Sequence, residues 1–396
     1  MTILCVLLIS TSSLYFNMET TGEMRRSGFK VSITWTGPSD AVFQDCIDFG
    51  SSQWFAGPEQ KQQYWPIQNS KLQKYSIVSK EEDNAAVSER YWLNSDGMYI
   101  YVAPEVPLFV DYHNVLENHL CLIAEVADPY STQRTENVLK YDIWFFDNAK
   151  IAHQHAVDTY LGKPSGIPDY RMIQYPIWST WARYSREIDQ DLLWSFANEI
   201  KDSGFPNAQF EIDDLWEVCY GSLYVDVRKL PNLKQLVKDI KSLGFRVSIW
   251  VHPFINKGCE PWYSTALERG TQDLPVFVRM VDKDTLWDFD NGLETLITTL
   301  LSMNLNGYTL VLPDMIGGNG YNEKPSKELF IRWLQANTVE ISRKYTHLHA
   351  DYADMIVAAM EKSVEYGTPV NPPIWWLDPY DQDALAVADG KTLKMT

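Results

Sequence analysis

Close cysteine pairs are missing from this chain. Cys5, Cys46, Cys121, Cys219 and Cys259 lie far apart and form no CxxC, which argues against a structural zinc and against a dense disulfide framework. There is room for one bridge within the amino-terminal half. Basic residues are scarce beside acids, 34 against 52 for a formal charge of -18. With no basic stripe, a nucleic-acid partner is not expected, and an acidic excess of this kind mainly favours solubility. Long apolar runs are missing too. The opening MTILCVLLIS reads either as a short signal h-region without its basic flank or as a β-strand, and it is too short to span a bilayer, so no membrane anchor is expected within this chain. There is no Asn-x-Ser/Thr acceptor, which removes one mark of secretory passage without closing that route, and the compartment stays unassigned. GxSxG, a Walker loop and a dinucleotide fingerprint are also absent, so nothing points to those nucleophile, phosphate or cofactor chemistries.

Aromatic residues are abundant. The 15 Trp, 22 Tyr and 16 Phe supply flat faces of the kind that line sugar pockets, although sandwiches and barrels also use them as plain core. An apolar fraction of 45% over 396 residues allows a real core and two or three domains. From Val31 to about Asp147, short runs such as VSITW, SERYWL and HLCLIAEV alternate with turns, predicting an antiparallel β domain of sandwich type. LGKPSGIPDY reads as a linker.

Beyond it, one pattern recurs: an amphipathic helix, a glycine stop, then a short apolar strand ending in polar groups. The first copy places Leu193, Phe196, Ala197 and Ile200 on one helical face, stops at Gly204 and ends its strand with Asp213 and Asp214. The second uses Leu233, Leu236, Val237 and Ile240, then Gly244, and ends with Trp250 and His252. A third uses Leu293, Leu296, Ile297 and Leu300, then Gly307, and ends with Asp314. Polar groups at the carboxyl ends of successive parallel strands form the catalytic rim of an α/β barrel. Strands are expected in YPIWST, AQFEID, RVSIWV, PVFVRMV and YTLVLP, fewer than the eight that close a barrel. The passage PFINKGCEPWYSTALERGTQDL is too short for a further crossover unit. The expected fold class is therefore α/β: an incomplete (β/α)8 TIM-barrel-type domain preceded by an antiparallel β-sandwich. The expected domains are residues 1–165 for the sandwich, 166–367 for the partial barrel and 368–396 for the start of a truncated carboxyl-terminal β region.

Among candidate chemical residues, Asp213 and Asp214 are adjacent at a strand end, so their side chains begin on opposite faces, and Asp214 is favoured as the deeper ligand. Capping of the next turn is the competing role, and for Asp314 an Asx-turn competes equally. Arg279, Asp282, Asp284 and Trp287 follow another strand, where Trp287 and Phe289 are expected to desolvate an acid; a solvated charged loop is the alternative. His153-Gln-His155 and His347-Leu-His349 have the look of metal HxH pairs but sit in helical contexts, where residues two apart diverge. No metal or other cofactor is expected. His252 suits donation to a substrate hydroxyl, or a satisfied core histidine.

Seven segments in order, YPIWSTWARY, FEIDDLW, GFRVSIWVHPFIN, FVRMVDKDTLW, LPDMIGGNGY, ELFIRWLQAN and PPIWWLDP, resemble glycoside hydrolase family 31, nearest to its branch of myogenesis-regulating glycosidases. The resemblance implies a retaining α-glycosidase with two carboxylates, one nucleophile and one acid/base. It implies Asp282 as acid/base, opening a D-x-x-S/T-x-W pattern, and Asp214 as the carboxylate that holds sugar hydroxyls. Trp181, Trp250, His252, Trp287 and Asp314 fall at pocket-wall positions, Arg279 at a substrate contact, and Asp213 beside Asp214. The implied partner is a carbohydrate, an α-galactoside or α-glucoside. The family's nucleophile motif, F-K-x-D-x-G-E, has no counterpart here, and the gap coincides with the missing barrel unit. A second shortening follows Thr338, and the family's carboxyl-terminal β domains are missing after Asp389. Little turnover is expected unless a substitute such as Asp213 attacks. A non-catalytic sugar-binding or interaction paralogue, and a metal-dependent hydrolase on a similar barrel, are the alternatives.

Overall fold

The structure is a computed structural model that describes residues 3–8, 14–21, 28–79, 87–205, 209–252, 255–269, 278–321, 324–337 and 343–387. It divides into two compact units, one made of residues 1–166, 277–314 and 360–396, the other of residues 167–276 and 315–359.

The first unit is built on two antiparallel sheets. Eleven strands supply them: β1 (Ile3–Leu8), β2 (Tyr15–Thr21), β3 (Phe29–Pro38), β4 (Val42–Asp48), β5 (Trp54–Ala56), β6 (Leu72–Ser76), β7 (Tyr91–Asn94), β8 (Met98–Val102), β9 (Leu108–Tyr112), β10 (His119–Ala124) and β11 (Glu136–Phe145). One sheet runs β1-β4-β10-β9-β6 and the other β2-β3-β11-β8-β7-β5. The alternation read from the sequence turns one face of each sheet inward. Phe43, Ile47, Val110 and Leu122 from the first sheet meet Ile33, Trp92, Ile100, Leu139 and Ile143 from the second in one buried core. Polar groups inside it find partners: the Trp92 indole donates to the Tyr112 hydroxyl at 2.7 Å, and Oδ2 of buried Asp45 accepts from the Trp35 indole at 2.9 Å and the Tyr141 hydroxyl at 2.8 Å, while its Oδ1 is buried without one. The opening apolar run is a strand where described, β1, paired antiparallel with β4.

In the second unit, β12 (Ile177–Ser179), β13 (Gln209–Ile212) and β14 (Arg246–Ile249) form a parallel sheet in chain order. The helix between β12 and β13 spans Gln190–Asp202, with Asp189 capping it by accepting the Leu192 amide at 2.8 Å. All four residues of its predicted apolar face are buried. The helix between β13 and β14 spans Leu233–Ser242, with Leu236 and Ile240 buried and Leu233 and Val237 packed against the same core. Gly204 and Gly244 carry positive φ just past these helices, the left-handed stop that lets the chain turn back into a strand.

The third repeat departs from its expected face. Its helix, Leu296–Leu305, is preceded by one tighter turn at Leu293–Thr295, and Leu293, Ile297 and Leu300 are only half-buried. Thr298, Thr299, Leu301, Met303 and Leu305 are buried along with Leu296, because this helix packs within the first unit and is covered on more than one side. Its strand, β16 (Val311–Leu312), pairs parallel with β15 (Val278–Arg279). Residues 368–387, expected to open a β region, hold a tight turn at Ile374–Trp376 and a short helix at Gln382–Leu385, and Trp375 and Trp376 pack into a buried cluster with Phe55 and Trp65. No helix among the described residues is long and apolar enough to cross a membrane.

Among the described residues two disulfides are present, one of them in the amino-terminal half where the sequence leaves room for a bridge. Cys46–Cys121 joins directly paired residues of β4 and β10, and Cys219–Cys259 closes a loop in the second unit. Because the first bridge ties residues 75 apart in a buried setting, replacing both cysteines by alanine is expected to lower stability by about 2–5 kcal/mol. Denaturant unfolding under non-reducing conditions checks this; an unchanged midpoint would contradict it.

Candidate functional site

Each unit carries its own cluster of charge at the carboxyl ends of parallel strands. In the second unit, β13 delivers Asp213 and Asp214, which are 9% and 5% exposed. Asp213 accepts from the Ser179 hydroxyl at 3.1 Å and from the Asp214 amide at 2.8 Å, while its own amide donates to the Thr180 hydroxyl at 2.9 Å. It is thereby tied to the end of β12. The chain turns at Leu215, whose φ of 55° is left-handed, and this turn brings both carboxyls to the strand end despite their alternate starting faces. Asp214 Oδ1 accepts the Leu215 amide and the Tyr220 hydroxyl, each at 2.6 Å, and Oδ2 accepts Arg186 Nε at 3.1 Å.

β14 delivers Trp250 and His252. The Trp250 carbonyl accepts the buried Trp216 indole at 2.6 Å, and its amide donates to Ile212 at 2.8 Å, fixing this exit beside that of β13. The His252 ring stacks on Tyr220 with centroids 4.8 Å apart and planes 22° apart, and Trp250 meets the Tyr220 ring edge-on at 6.1 Å. Burial, with the Asp214 hydrogen bond next, pushes the Tyr220 hydroxyl up to about 12, so it stays a protonated donor at neutral pH. Trp181, half-buried, donates its indole to the Asn319 carbonyl at 3.2 Å and lies 6.0 Å from the Tyr321 ring. Aromatic rings and a hydrogen-bonded carboxylate in one place make a surface suited to a polyhydroxy ring.

The cluster in the first unit is organised by Arg279 on β15. Its guanidinium donates to Asp282 Oδ1 at 2.5 Å and, through Nε at 3.0 Å, to Asp314 Oδ1. Asp314, whose side chain is fully buried, also accepts the Lys283 amide at 2.7 Å, so it is both ion-paired and bonded to the backbone here. Asp282 is half-exposed. The expected apolar wall around it is not found: Trp287 is 47% exposed, and Phe289 packs on Tyr64 at 4.7 Å. Arg279 is an ion partner of this half-exposed carboxyl. Asn291 fixes the loop by donating to the Asp282 carbonyl at 2.7 Å and the Asp284 carboxylate at 3.0 Å.

Four residues that the sequence reading did not single out belong to these clusters: Arg186, Tyr220, Lys283 and Glu59. Lys283 is completely buried, and its ammonium donates to Thr295 at 2.9 Å and Thr299 at 3.0 Å. Glu59, 1% exposed, accepts the Val281 amide at 2.7 Å. The inward alternation of Val281 and Lys283 was the available signal, masked by the run of charge. His153 and His155 lie on the helix Ala149–Ala156 and bond different tyrosines, Tyr91 at 3.1 Å and Tyr99 at 2.8 Å. The side chains of His347 and His349 lie outside the described residues. Among the described residues no group of three metal-ligating side chains occurs.

The described residues thus combine antiparallel sheets with short parallel strands that carry acids at their carboxyl ends. No family profile matches the chain. Sequence relatives are the mouse (Mus musculus) myogenesis-regulating glycosidase, 25% identical over 84% of this chain and 66% of that protein, and the SITS-binding protein of Tetronarce californica, 23% identical over 90% of this chain and 68% of that one. In structure the chain is similar to a family 31 sulfoquinovosidase from E. rectale, with a TM-score of 0.71 at 12% identity over 97% of this chain and 80% of the other. It is also similar to a family 31 α-xylosidase from a soil metagenome, with a TM-score of 0.67 at 15% identity over 94% of this chain and 72% of the other. The chain is thus similar in sequence to a myogenesis-regulating glycosidase and in fold to solved members of glycoside hydrolase family 31. It spans 66% of the mouse relative's length, a little under two thirds.

Lys283 gives a pH test of the first-unit cluster. Burial pushes its ammonium down to about 8, against the pull of Glu59, Asp314 and Asp284. An unfolded lysine holds its proton to about pH 10.4. Between these values the unfolded chain binds the extra proton, so this group's contribution to stability rises with pH. The unfolding free energy of wild type minus that of Lys283→Met should therefore grow between about pH 7.5 and about pH 9.5. A difference that stays flat in urea titrations would place Lys283 in a wetter setting than the structure does.

Proposed function

We propose that this chain is a family 31 glycosidase-fold protein that binds an α-galactoside or α-glucoside but turns it over little or not at all. The ancestral reaction is hydrolysis of the α-glycosidic bond with retention. The carrying observation is internal shortening. The alignment with the mouse relative runs over 470 positions yet covers only 84% of a 396-residue chain, so long gaps must open opposite this sequence. One fits between His252 and Arg279, where the nucleophile motif is missing. Without an attacking carboxylate the covalent two-step route has no first step.

In this reading Asp214 holds sugar hydroxyls, Asp213 orients it, and Trp181, Trp250 and His252 form wall and donor. Asp282 is the retained acid/base with Arg279 as its ion partner, and Asp314 and Trp287 are remnants of the same ancestral pocket. The incomplete barrel, the sandwich and the division at residues 1–165, 166–367 and 368–396 belong to the same proposal. A non-catalytic carbohydrate-binding role needs only the Asp214 cluster, and the three donors already orienting that carboxylate favour it over catalysis.

The test compares full-length wild type with Asp282→Ala on aryl α-galactosides and α-glucosides, alongside calorimetric titration of the methyl glycosides. Equal background hydrolysis in both proteins is expected, together with binding that Asp214→Ala weakens about ten-fold or more. Turnover that vanishes in Asp282→Ala would refute the inactivity; absence of any binding would refute the sugar site.

A further inference from the structure

Tyr220 sits where the two strand exits of the second unit meet. Its hydroxyl fixes one oxygen of Asp214, beyond β13, and its ring stacks on His252, beyond β14. It is held by its neighbours as well as by its own contacts. The Tyr220 carbonyl accepts the Asn256 amide at 3.1 Å, and the Asn256 carbonyl accepts the Cys259 amide at 2.8 Å. At Gly221, with φ of 90°, a Cβ would lie 2.6 Å from the Ile255 side chain, so the two segments are in direct backbone approach. The Cys219–Cys259 disulfide, between residues 40 apart, locks these segments together one residue before Tyr220.

No strand pairing joins residues 219–221 to 255–259. Among the described residues the interlock is a covalent bond, one amide bond from Asn256 to Tyr220 and one close contact at Gly221, so the covalent bond is its strongest part. The two bridges also differ in surroundings. Cys46 and Cys121 are 1% and 0% exposed, whereas Cys219 is half-buried, which gives a thiolate an approach to the second bridge first.

We propose that Tyr220 is a positioning residue of the Asp214 sugar site and that the Cys219–Cys259 bridge sets the affinity of that site through it, so that a dithiol reductant weakens sugar binding. The inference rests on the reading of Asp214 as a sugar-holding carboxylate. In the chemical step a reductant thiolate attacks one sulfur of the bridge and the S–S bond breaks. A second reductant thiol resolves the mixed disulfide, and two electrons and two protons convert the bridge to two cysteine thiols while the dithiol closes to its own disulfide.

The experiment titrates methyl α-galactoside and methyl α-glucoside by calorimetry into four full-length proteins: wild type, Tyr220→Phe, Cys219→Ser with Cys259→Ser, and the triple variant. Tyr220→Phe keeps the ring on His252 and removes only the donor to a charged acceptor, so affinity should fall about ten-fold. The double serine variant should fall by a similar factor. In the Tyr220→Phe background the serines should add no more than about two-fold, a non-additivity that a general loss of stability would not produce. If the serine variants do not fold, wild type reduced by dithiothreitol under native conditions, with thiols located by mass spectrometry, gives the same comparison against Tyr220→Phe. Wild type that binds sugar while Tyr220→Phe binds equally well overturns this inference alone. So does an equal loss from the serines in both backgrounds. Wild type that binds neither sugar overturns the underlying reading as well.

Discussion

A carboxylate taken out of water must be given donors and a counter-charge, and both clusters of this protein are solutions to that constraint. Asp214 is met by a backbone amide, a phenol and the exposed Arg186; Asp314 is met by Arg279 and the Lys283 amide. The local geometry follows. Leu215 takes up a left-handed conformation with its amide directed to Asp214, and Asn291 does the same where it bonds the Asp282 loop. Strain of this kind persists at functional sites because the surroundings over-determine it. Here the surroundings are charge pairs, so removing one partner would leave the other buried without compensation, a larger penalty than the pair's own net stabilisation.

The same constraint explains why the first-unit cluster reaches into the β domain. Val281 and Lys283 turn inward on either side of the half-exposed Asp282, and the inward amide of Val281 needs an acceptor that β15, a two-residue strand, does not extend far enough to supply. Glu59 fills that need. Lys283, lying beside the same carboxylate in charge terms, has its ammonium shared between the hydroxyls of Thr295, in the turn that leads into the Leu296–Leu305 helix, and of Thr299 on that helix. Thr295 and Thr299 are thus buried for a polar reason, which is why a hydrophobic helical face drawn from leucines alone did not describe that helix.

Periodicity carried the sequence reading wherever burial is decided by one face. The Gln190–Asp202 helix buries the four residues that its 3.6-residue repeat picks out, and the alternating runs between β3 and β11 form antiparallel sheets that share a buried core. Strand-end acids were also legible, since Asp213, Asp214 and Asp314 all end up buried. What escaped was pairing across sequence distance. Nothing local marks Arg186 as the partner of Asp214, or Cys219 as the partner of Cys259, and a run such as Asp282-Lys283-Asp284 looks solvated until the chain's path turns its middle residue inward. Trp287 failed in the opposite sense: an indole beside an acid in sequence proves to be half in water in the fold.

Each cluster has its own support within its unit, and that bears on the proposed sugar-binding reading. The residues around Asp214 come from a stretch running from Trp181 to His252, with a core of Leu193, Phe196, Phe210, Leu236 and Ile240 beneath them and a disulfide beside them. The residues around Asp282 lean on Glu59 and on the Leu296–Leu305 helix within the other unit. Retaining hydrolysis needs two carboxylates at a fixed short separation, so it fails as soon as one is lost. Holding a sugar needs one oriented carboxylate and aromatic faces, all of which the Trp181–His252 stretch contains.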